Sequence, residues 1–210
     1  MTRKWNNLAK AMQGHLTVLY GVAGSGKTNI ALQLMEVTCG NLTDNEACYF
    51  ISTEGPQYLN LLKRYNLGPK CFLSYAVNGE HLLKLLLDVL LSGFRIKFLA
   101  VDSVNNFYRA EALKLRYANV LFNTILALLS NIAHQDRALV FVTAQVRTAP
   151  DYEEEISGDA FISYWSDFVI KCERRGPGKG ELIFIYPDSW TDRKVRFEVG
   201  DNGVKLADNI

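Results

Sequence analysis

Disulfide scaffolding is the first thing this sequence fails to offer. It has four cysteines in 210 residues (Cys39, Cys48, Cys71 and Cys172), and no two form a CxxC pair. Only three histidines are present, His15, His81 and His134, and they are scattered along the chain. That spacing argues against a zinc site and for four reduced, mostly buried thiols in a cytoplasmic protein. Excess charge of one sign is missing too, since 23 basic and 22 acidic residues give a formal net charge of +1. A globally basic, histone-like DNA binder is thereby excluded, while a local basic groove on a neutral body stays open. No apolar run reaches the roughly 18 residues that a membrane span requires. The richest stretch, Leu82–Leu91, is broken by Lys84 and Asp88 and reads as an amphipathic helix. The first residues, Met1-Thr-Arg-Lys-Trp-Asn-Asn, are polar with no apolar run behind them. The sequence thus points to no secretory signal and no membrane partner.

With 49% hydrophobic residues, the chain can bury one large core without staples. Its pattern alternates short β-like runs with helical ones. Strands are expected over His15–Tyr20, Ala47–Ser52, Cys71–Tyr75, Lys97–Val101 and Ala138–Thr143. Helices are expected over Lys27–Thr38, Pro56–Tyr65, Glu80–Leu91 and, longest, Glu111–His134. In that last helix Leu113, Tyr117, Val120, Leu121, Thr124, Leu128 and Ile132 mark an apolar stripe. Unbroken apolar strands separated by helices predict an α/β fold with a mostly parallel central sheet flanked by helices. Residues 147–159 are polar and acidic, without apolar periodicity, and read as a mobile loop. Phe168–Glu173 and Glu181–Tyr186, joined by Arg174-Arg-Gly-Pro-Gly-Lys-Gly180, read as a C-terminal β-hairpin, with a last strand at Val195–Val199. No repeat or linker divides the chain, so 1–210 reads as one domain with 1–13 as a lead-in.

Gly21-Val22-Ala23-Gly24-Ser25-Gly26-Lys27-Thr28 fits GxxxxGK[ST] in full, after an expected strand and at the start of an expected helix. The glycines let backbone N–H groups turn inward to cradle phosphate oxygens, and the helix N-terminus adds partial positive charge. Lys27 is expected to reach the β- and γ-phosphates of ATP, and the Thr28 hydroxyl to ligate Mg²⁺. Phe98-Leu-Ala-Val-Asp102 ends a buried strand in a carboxylate suited to the same metal. Glu54 follows the strand Ala47–Ser52, read as the neighbour of the P-loop strand, where a carboxylate can polarise water for in-line attack. Gln145 ends the strand Ala138–Thr143 and is placed to donate to a γ-phosphate oxygen and signal to the loop beyond. Lys27, Glu54 and Gln145 are therefore the candidate catalytic set.

These signatures resemble, in order and spacing, those of the RecA/RadA recombinase family of ATPases. Tyr49-Phe-Ile-Ser-Thr-Glu-Gly-Pro56 is similar to that family's strand ending in Asp-Thr-Glu-Gly. Val101-Asp-Ser-Val-Asn-Asn-Phe-Tyr-Arg109 is similar to its metal-binding strand, and Val142-Thr-Ala-Gln-Val146 to its Thr-Asn-Gln-Val. The likeness runs from about Gly14 to Ala207 and implies a RecA-like P-loop ATPase core using ATP and Mg²⁺. There are departures. Ser52 stands for the Asp and Ala144 for the Asn, and about a dozen residues precede the first strand, where family recombinases carry a helical DNA-binding domain and a filament-forming linker. The pattern resembles core-only archaeal RadA paralogues. It implies slow hydrolysis, a place in homologous recombination and DNA repair, and two partners, single-stranded DNA and a full-length RadA-type recombinase. KaiC-type ring-forming signalling ATPases are the alternative, although they usually carry paired glutamates where this chain has Thr53-Glu54. An interaction protein that holds ATP structurally is another. Arg147, where the family places its first DNA loop, and Arg174, Arg175, Lys179 and Arg193 are the candidate DNA contacts; solvated hairpin charge is the plain alternative. Arg109 could reach a neighbouring subunit. Tyr152, Phe161, Tyr164 and Trp165 suit either base stacking or packing.

Overall fold

Apolar runs too short for helices and too continuous for a one-faced sheet need cover on both sides. The computed structural model, which describes residues 2–40, 42–112, 117–147 and 155–207, gives them that cover. β1 (Leu16–Gly21), β2 (Glu46–Ser52), β3 (Cys71–Tyr75), β4 (Arg95–Asp102) and β5 (Leu139–Arg147) lie parallel in one sheet. Between them run α2 (Lys27–Cys39), a 3₁₀ helix (Pro56–Arg64), α3 (Gly79–Leu90), α4 (Asn106–Glu111) and α5 (Ala118–Asp136). Next come β6 (Glu155–Ile156), α6 (Asp159–Trp165), β7 (Phe168–Gly176), β8 (Lys179–Tyr186), β9 (Lys194–Gly200) and β10 (Gly203–Leu206). The sheet order is β10-β9-β8-β7-β1-β5-β4-β2-β3, with β6 paired to the end of β5. β7 is parallel to β1, and β8, β9 and β10 extend the sheet antiparallel. This is the α/β, mostly parallel sheet of a RecA-like core, with the expected C-terminal hairpin enlarged to an antiparallel wing.

Side-chain alternation divides the core between the two faces. Leu19, Phe98 and Phe141 point to one face, with α2 and a helix α1 (Thr2–Ala11). Leu16, Val18, Leu99, Val101, Val140 and Val142 point to the other, with α3 and α5. Each fully buried side chain of this size contributes about 1.5–3 kcal/mol of apolar transfer free energy. Helix α1 was not evident in the polar composition of the first residues. Trp5, Leu8 and Met12 recur at three- and four-residue steps and are fully buried, and the Trp5 indole N–H donates to the Val204 carbonyl at 2.8 Å.

Several expectations need correction. The long helix does not run unbroken from Glu111. α4 ends there and α5 begins at Ala118, with residues 113–116, including Leu113 of the expected stripe, outside the described residues. The stripe is also rotated: the expected one runs from Leu113 and Tyr117, whereas within α5 the residues Ala118, Phe122, Ile125, Leu129 and Ile132, at three- and four-residue steps, form the buried face. Leu126 is buried as well, while Tyr117 and Val120 are exposed. The acidic segment is not all loop, since Glu155–Ile156 pairs antiparallel with Val146–Arg147 and α6 starts at Asp159. Asp151, Tyr152, Glu153 and Glu154 lie outside the described residues. Nor are all four thiols reduced. Where α2 crosses back over β2, Cys39 and Cys48 come to 6.4 Å between α-carbons and form a disulfide, leaving Cys71 and Cys172 free.

Candidate functional site

The parallel strands bring their carboxyl ends to one edge of the sheet, where α/β folds bind ligands. The register sets Gly21 of β1 beside Gln145 of β5, and Ser52 of β2 beside Asp102 of β4. Glu54 was expected on a strand next to the P-loop strand, but β5 and β4 intervene. It still reaches the same cleft, of about 280 Å³, lined by the P-loop, Glu54, Asp102 and Gln145 and, from the antiparallel wing, Arg174, Lys179 and Phe197.

The P-loop's shape depends on its glycines. Gly24 and Gly26 have φ of 74° and 104°, conformations that side chains rarely adopt. A side chain on Gly21 would begin 2.4 Å from the Cys172 carbonyl oxygen of β7. At this turn the first N–H groups of α2 face the cleft with the positive end of the helix dipole behind them. Lys27 is buried and donates to the carbonyls of Gly21 and Val22 at 2.8 and 2.9 Å, so its ammonium lies across the loop.

Asp102 sits at the floor of the cleft. It accepts from the Thr28 hydroxyl at 2.7 Å and, through its other oxygen, from the Thr143 hydroxyl. Burial pushes its pKa up, opposed by the two hydroxyl bonds and by Lys27. A buried carboxylate beside a threonine hydroxyl is a hard-oxygen donor pair, and it fits Mg²⁺.

Glu54 is held by an indirect scaffold. Thr53 both donates to the Ser103 carbonyl (2.7 Å) and accepts from the Ser103 N–H (2.9 Å). Asn106 donates to the Thr53 carbonyl at 2.7 Å, and Ser52 accepts from the Glu54 N–H at 3.2 Å. The Glu54 carboxylate then accepts from the Gln145 amide, whose oxygen accepts from Arg109 at 2.7 Å. Burial and the neighbouring Asp102 raise the Glu54 pKa, against the bonds and charges of Gln145, Lys27 and Arg109.

Sequence reasoning missed Thr143 and Asn105, and it pointed Arg109 toward a neighbouring subunit. Thr143 completes the clamp on Asp102. Asn105, fully buried, accepts from the Gln145 N–H at 3.0 Å and donates to the Gln145 carbonyl at 2.9 Å, fixing that backbone in both directions. Arg109 turns inward to Gln145, and its Nε is buried without a partner among the described residues. Both Asn105 and Arg109 lie in the Val101–Arg109 segment marked by the resemblance, but their action on Gln145, about 40 positions away, leaves no local signal.

The candidate DNA contacts differ in their surroundings. Arg174 and Lys179 line the cleft itself, and Lys179 stands 3.9 Å from Glu198. Arg175 is engaged by Glu173 and Glu181 at 2.8 and 2.7 Å, and the Arg193 guanidinium stacks 4.6 Å above the Trp190 ring. Arg147 ends β5 opposite Glu155. Among the aromatics, Phe161 packs edge-on to Tyr108 and Phe122, and the Trp165 indole donates to Asn123 at 2.8 Å, while Tyr164 is 78% exposed. Tyr152 lies outside the described residues.

A P-loop opening a buried helix, with a strand-end carboxylate and a strand-end glutamine converging on it, defines a P-loop protein with a RecA-like core. Comparison with known families narrows this. The chain belongs to the Rad51 family, whose model matches residues 8–164. It is 24% identical to the DNA repair and recombination protein RadB of Methanosphaera stadtmanae, over 91% of this chain and 88% of that protein. To the RadB of Methanocaldococcus jannaschii it is 22% identical, over 96% and 97%. To the RadB of Thermoplasma acidophilum it is 27% identical, over 91% and 85%. Among the described residues no helix is long and apolar enough to cross a membrane.

Proposed function

We propose that this chain is an ATP-binding, slowly hydrolysing RadA paralogue that acts in recombination and DNA repair. In this reading it binds single-stranded DNA and modulates the filaments of a full-length RadA-type recombinase. One observation carries the ATP reading: Lys27, Thr28, Glu54, Asp102 and Gln145, drawn from four strands' ends, face a single cleft. The recombination reading rests on membership of the Rad51 family and on the names of the RadB relatives.

The P-loop N–H groups and Lys27 would hold the triphosphate. Thr28 and Asp102 would hold Mg²⁺, which when bound neutralises charge on the β- and γ-phosphates. Glu54 orients and deprotonates the attacking water, and its raised basicity suits that task. Gln145, between Glu54 and Arg109, senses the γ-phosphate and passes its presence along β5 toward the segment beyond Arg147. Arg174 and Lys179 are placed to meet phosphate charge from the wing side, of the nucleotide or of a DNA strand crossing the cleft mouth.

Lys27→Ala should abolish measurable ATP·Mg²⁺ binding by calorimetry; unchanged binding would end the assignment. The partner reading has its own measurement. Strand exchange by a full-length recombinase should change when the protein is added, and the Lys27→Ala protein should have less effect. Efficient strand exchange by the protein alone, or no influence on the mixture, would refute it.

A further inference from the structure

The histidines that are scattered in sequence meet a carboxylate at the other edge of the sheet, away from the cleft. His15 directly precedes β1, Asp167 directly precedes β7, and His134 lies in the last turn of α5. One ligand atom from each lies within 4.8 Å of the other two. His134 Nε2 stands 3.6 Å from Asp167 Oδ1, and His15 Nδ1 stands 3.7 Å from Asp167 Oδ2. Both separations exceed hydrogen-bonding distance. They are close to what a metal imposes, because ligands at about 2.0–2.1 Å around tetrahedral zinc stand about 3.4 Å apart.

Two further features point the same way. His134 Nδ1 is 2.7 Å from the Ser130 carbonyl. A carbonyl only accepts, so Nδ1 carries the hydrogen, and in the neutral ring Nε2 presents its lone pair toward Asp167. Metal-binding histidines are oriented by such an outer bond. His15 Nδ1 is buried and makes no hydrogen bond among the described residues, which is costly unless something else satisfies it. The carboxylate is oriented as well, since the Leu16 N–H donates to Asp167 Oδ2 at 2.8 Å.

We propose that His15, His134 and Asp167 form a three-ligand site for Zn²⁺ or a similar borderline-soft divalent ion. Two imidazole nitrogens and one carboxylate suit zinc, whereas Mg²⁺ prefers the oxygen donors across the sheet at Thr28 and Asp102. The His134 side chain is 53% exposed. The fourth position therefore opens to solvent and takes water or a donor from outside the chain. The bound ion ties the start of β1, the end of α5 and the entry to β7 into one joint. The spacing argument against zinc fails here because the ligands are adjacent in the fold and distant in the sequence.

The test uses the full chain without reductant, so that Cys39–Cys48 stays closed, with excess Mg²⁺ and no nucleotide. Zn²⁺ is titrated calorimetrically, and Co²⁺ is followed by visible absorption as a spectroscopic stand-in. One ion should bind per chain and raise the melting temperature. His134→Ala and Asp167→Asn should each weaken binding by about 100-fold or more and remove the thermal shift. Cys71→Ser should leave both intact. The half-exposed His134 can be truncated without opening the core, and the Asp167→Asn amide oxygen can still accept from Leu16. Melting without zinc confirms that each variant folds. No binding by the wild type, binding that both variants keep, or a Co²⁺ spectrum showing sulfur ligation would overturn the proposal.

Discussion

The two edges of the parallel sheet are built alike and are legible to very different degrees. At the carboxyl edge, Asp102 and Gln145 lie in the last residues of β4 and β5, and Glu54 and Lys27 come shortly after β2 and β1, so each can be recognised by position alone. At the amino edge, His15 and Asp167 precede strands and His134 lies in the last turn of a helix, and no spacing connects them. The carboxyl edge is crowded and clamped, with Asp102 under two hydroxyls and Gln145 between Glu54 and Arg109. The amino edge is open. A strand end thus confers a recognisable motif only where the chain turns straight into the cleft, as the P-loop does. Where the side chains come from three separate elements, as those of His15, His134 and Asp167 do, only the packed sheet brings them together.

The largest effect expected from this contrast is at Glu54. Glu54→Gln should keep ATP binding and lose about 10³-fold in turnover, since a missing water-orienting group commonly costs that much. Single-turnover hydrolysis measures it, and equal rates would show that the water is activated by another group.

Two glycines then compare the edges for backbone crowding. Gly21→Ala drives a methyl to within 2.4 Å of the Cys172 carbonyl, so β1 and β7 must separate. A loss of about 2–3 kcal/mol is expected. Gly14, at the amino edge, has φ of 83° but nothing nearer than 3.8 Å. Gly14→Ala should cost only the left-handed backbone penalty, about 1–2 kcal/mol. Denaturant melts of the two variants decide it, and a Gly14→Ala loss equal to or larger than that of Gly21→Ala would break the comparison.

In the antiparallel wing, the Arg175 hydrogen bond holds the Glu181 carboxyl below its ordinary pKa, against the effect of burial. A depressed folded-state pKa stabilises the protein above the unfolded value, about 4.3, and that stabilisation is lost as pH falls through the lower folded value. Arg175→Ala should therefore be less stable than wild type at pH 7, and the gap should narrow in acid. Urea unfolding at pH 7 and near pH 3 tests this; a gap independent of pH would show that Arg175 acts only by packing.

The smallest effect is chemical. The Cys172 thiol lies beneath the P-loop, donates to the Ser25 carbonyl and is pushed up to about 11 by burial. Alkylation at pH 8 in the native state should label the partly exposed Cys71 before Cys172, read by mass spectrometry. Faster labelling of Cys172 would mean that the P-loop floor opens to solvent.

By itself, the sequence determined the α/β class, the phosphate loop and the strand-end residues of the cleft. Each of these depends on local chemistry, whether a glycine's permitted φ, a helix N-terminus or an apolar run ending in a carboxylate. Only the tertiary structure decided the rest. That α5 begins at Ala118 and not at Glu111, and buries Ala118, Phe122, Ile125 and Leu129, is one such feature. Helix α1 is anchored from across the molecule, where the buried Trp5 indole donates to the Val204 carbonyl. Cys39 met Cys48, Arg109 met Gln145 and His15 met His134, all through sheet order and helix crossing. Those contacts join residues that share no local pattern, and sheet order is set by the burial of whole faces, a free energy no short stretch of sequence carries.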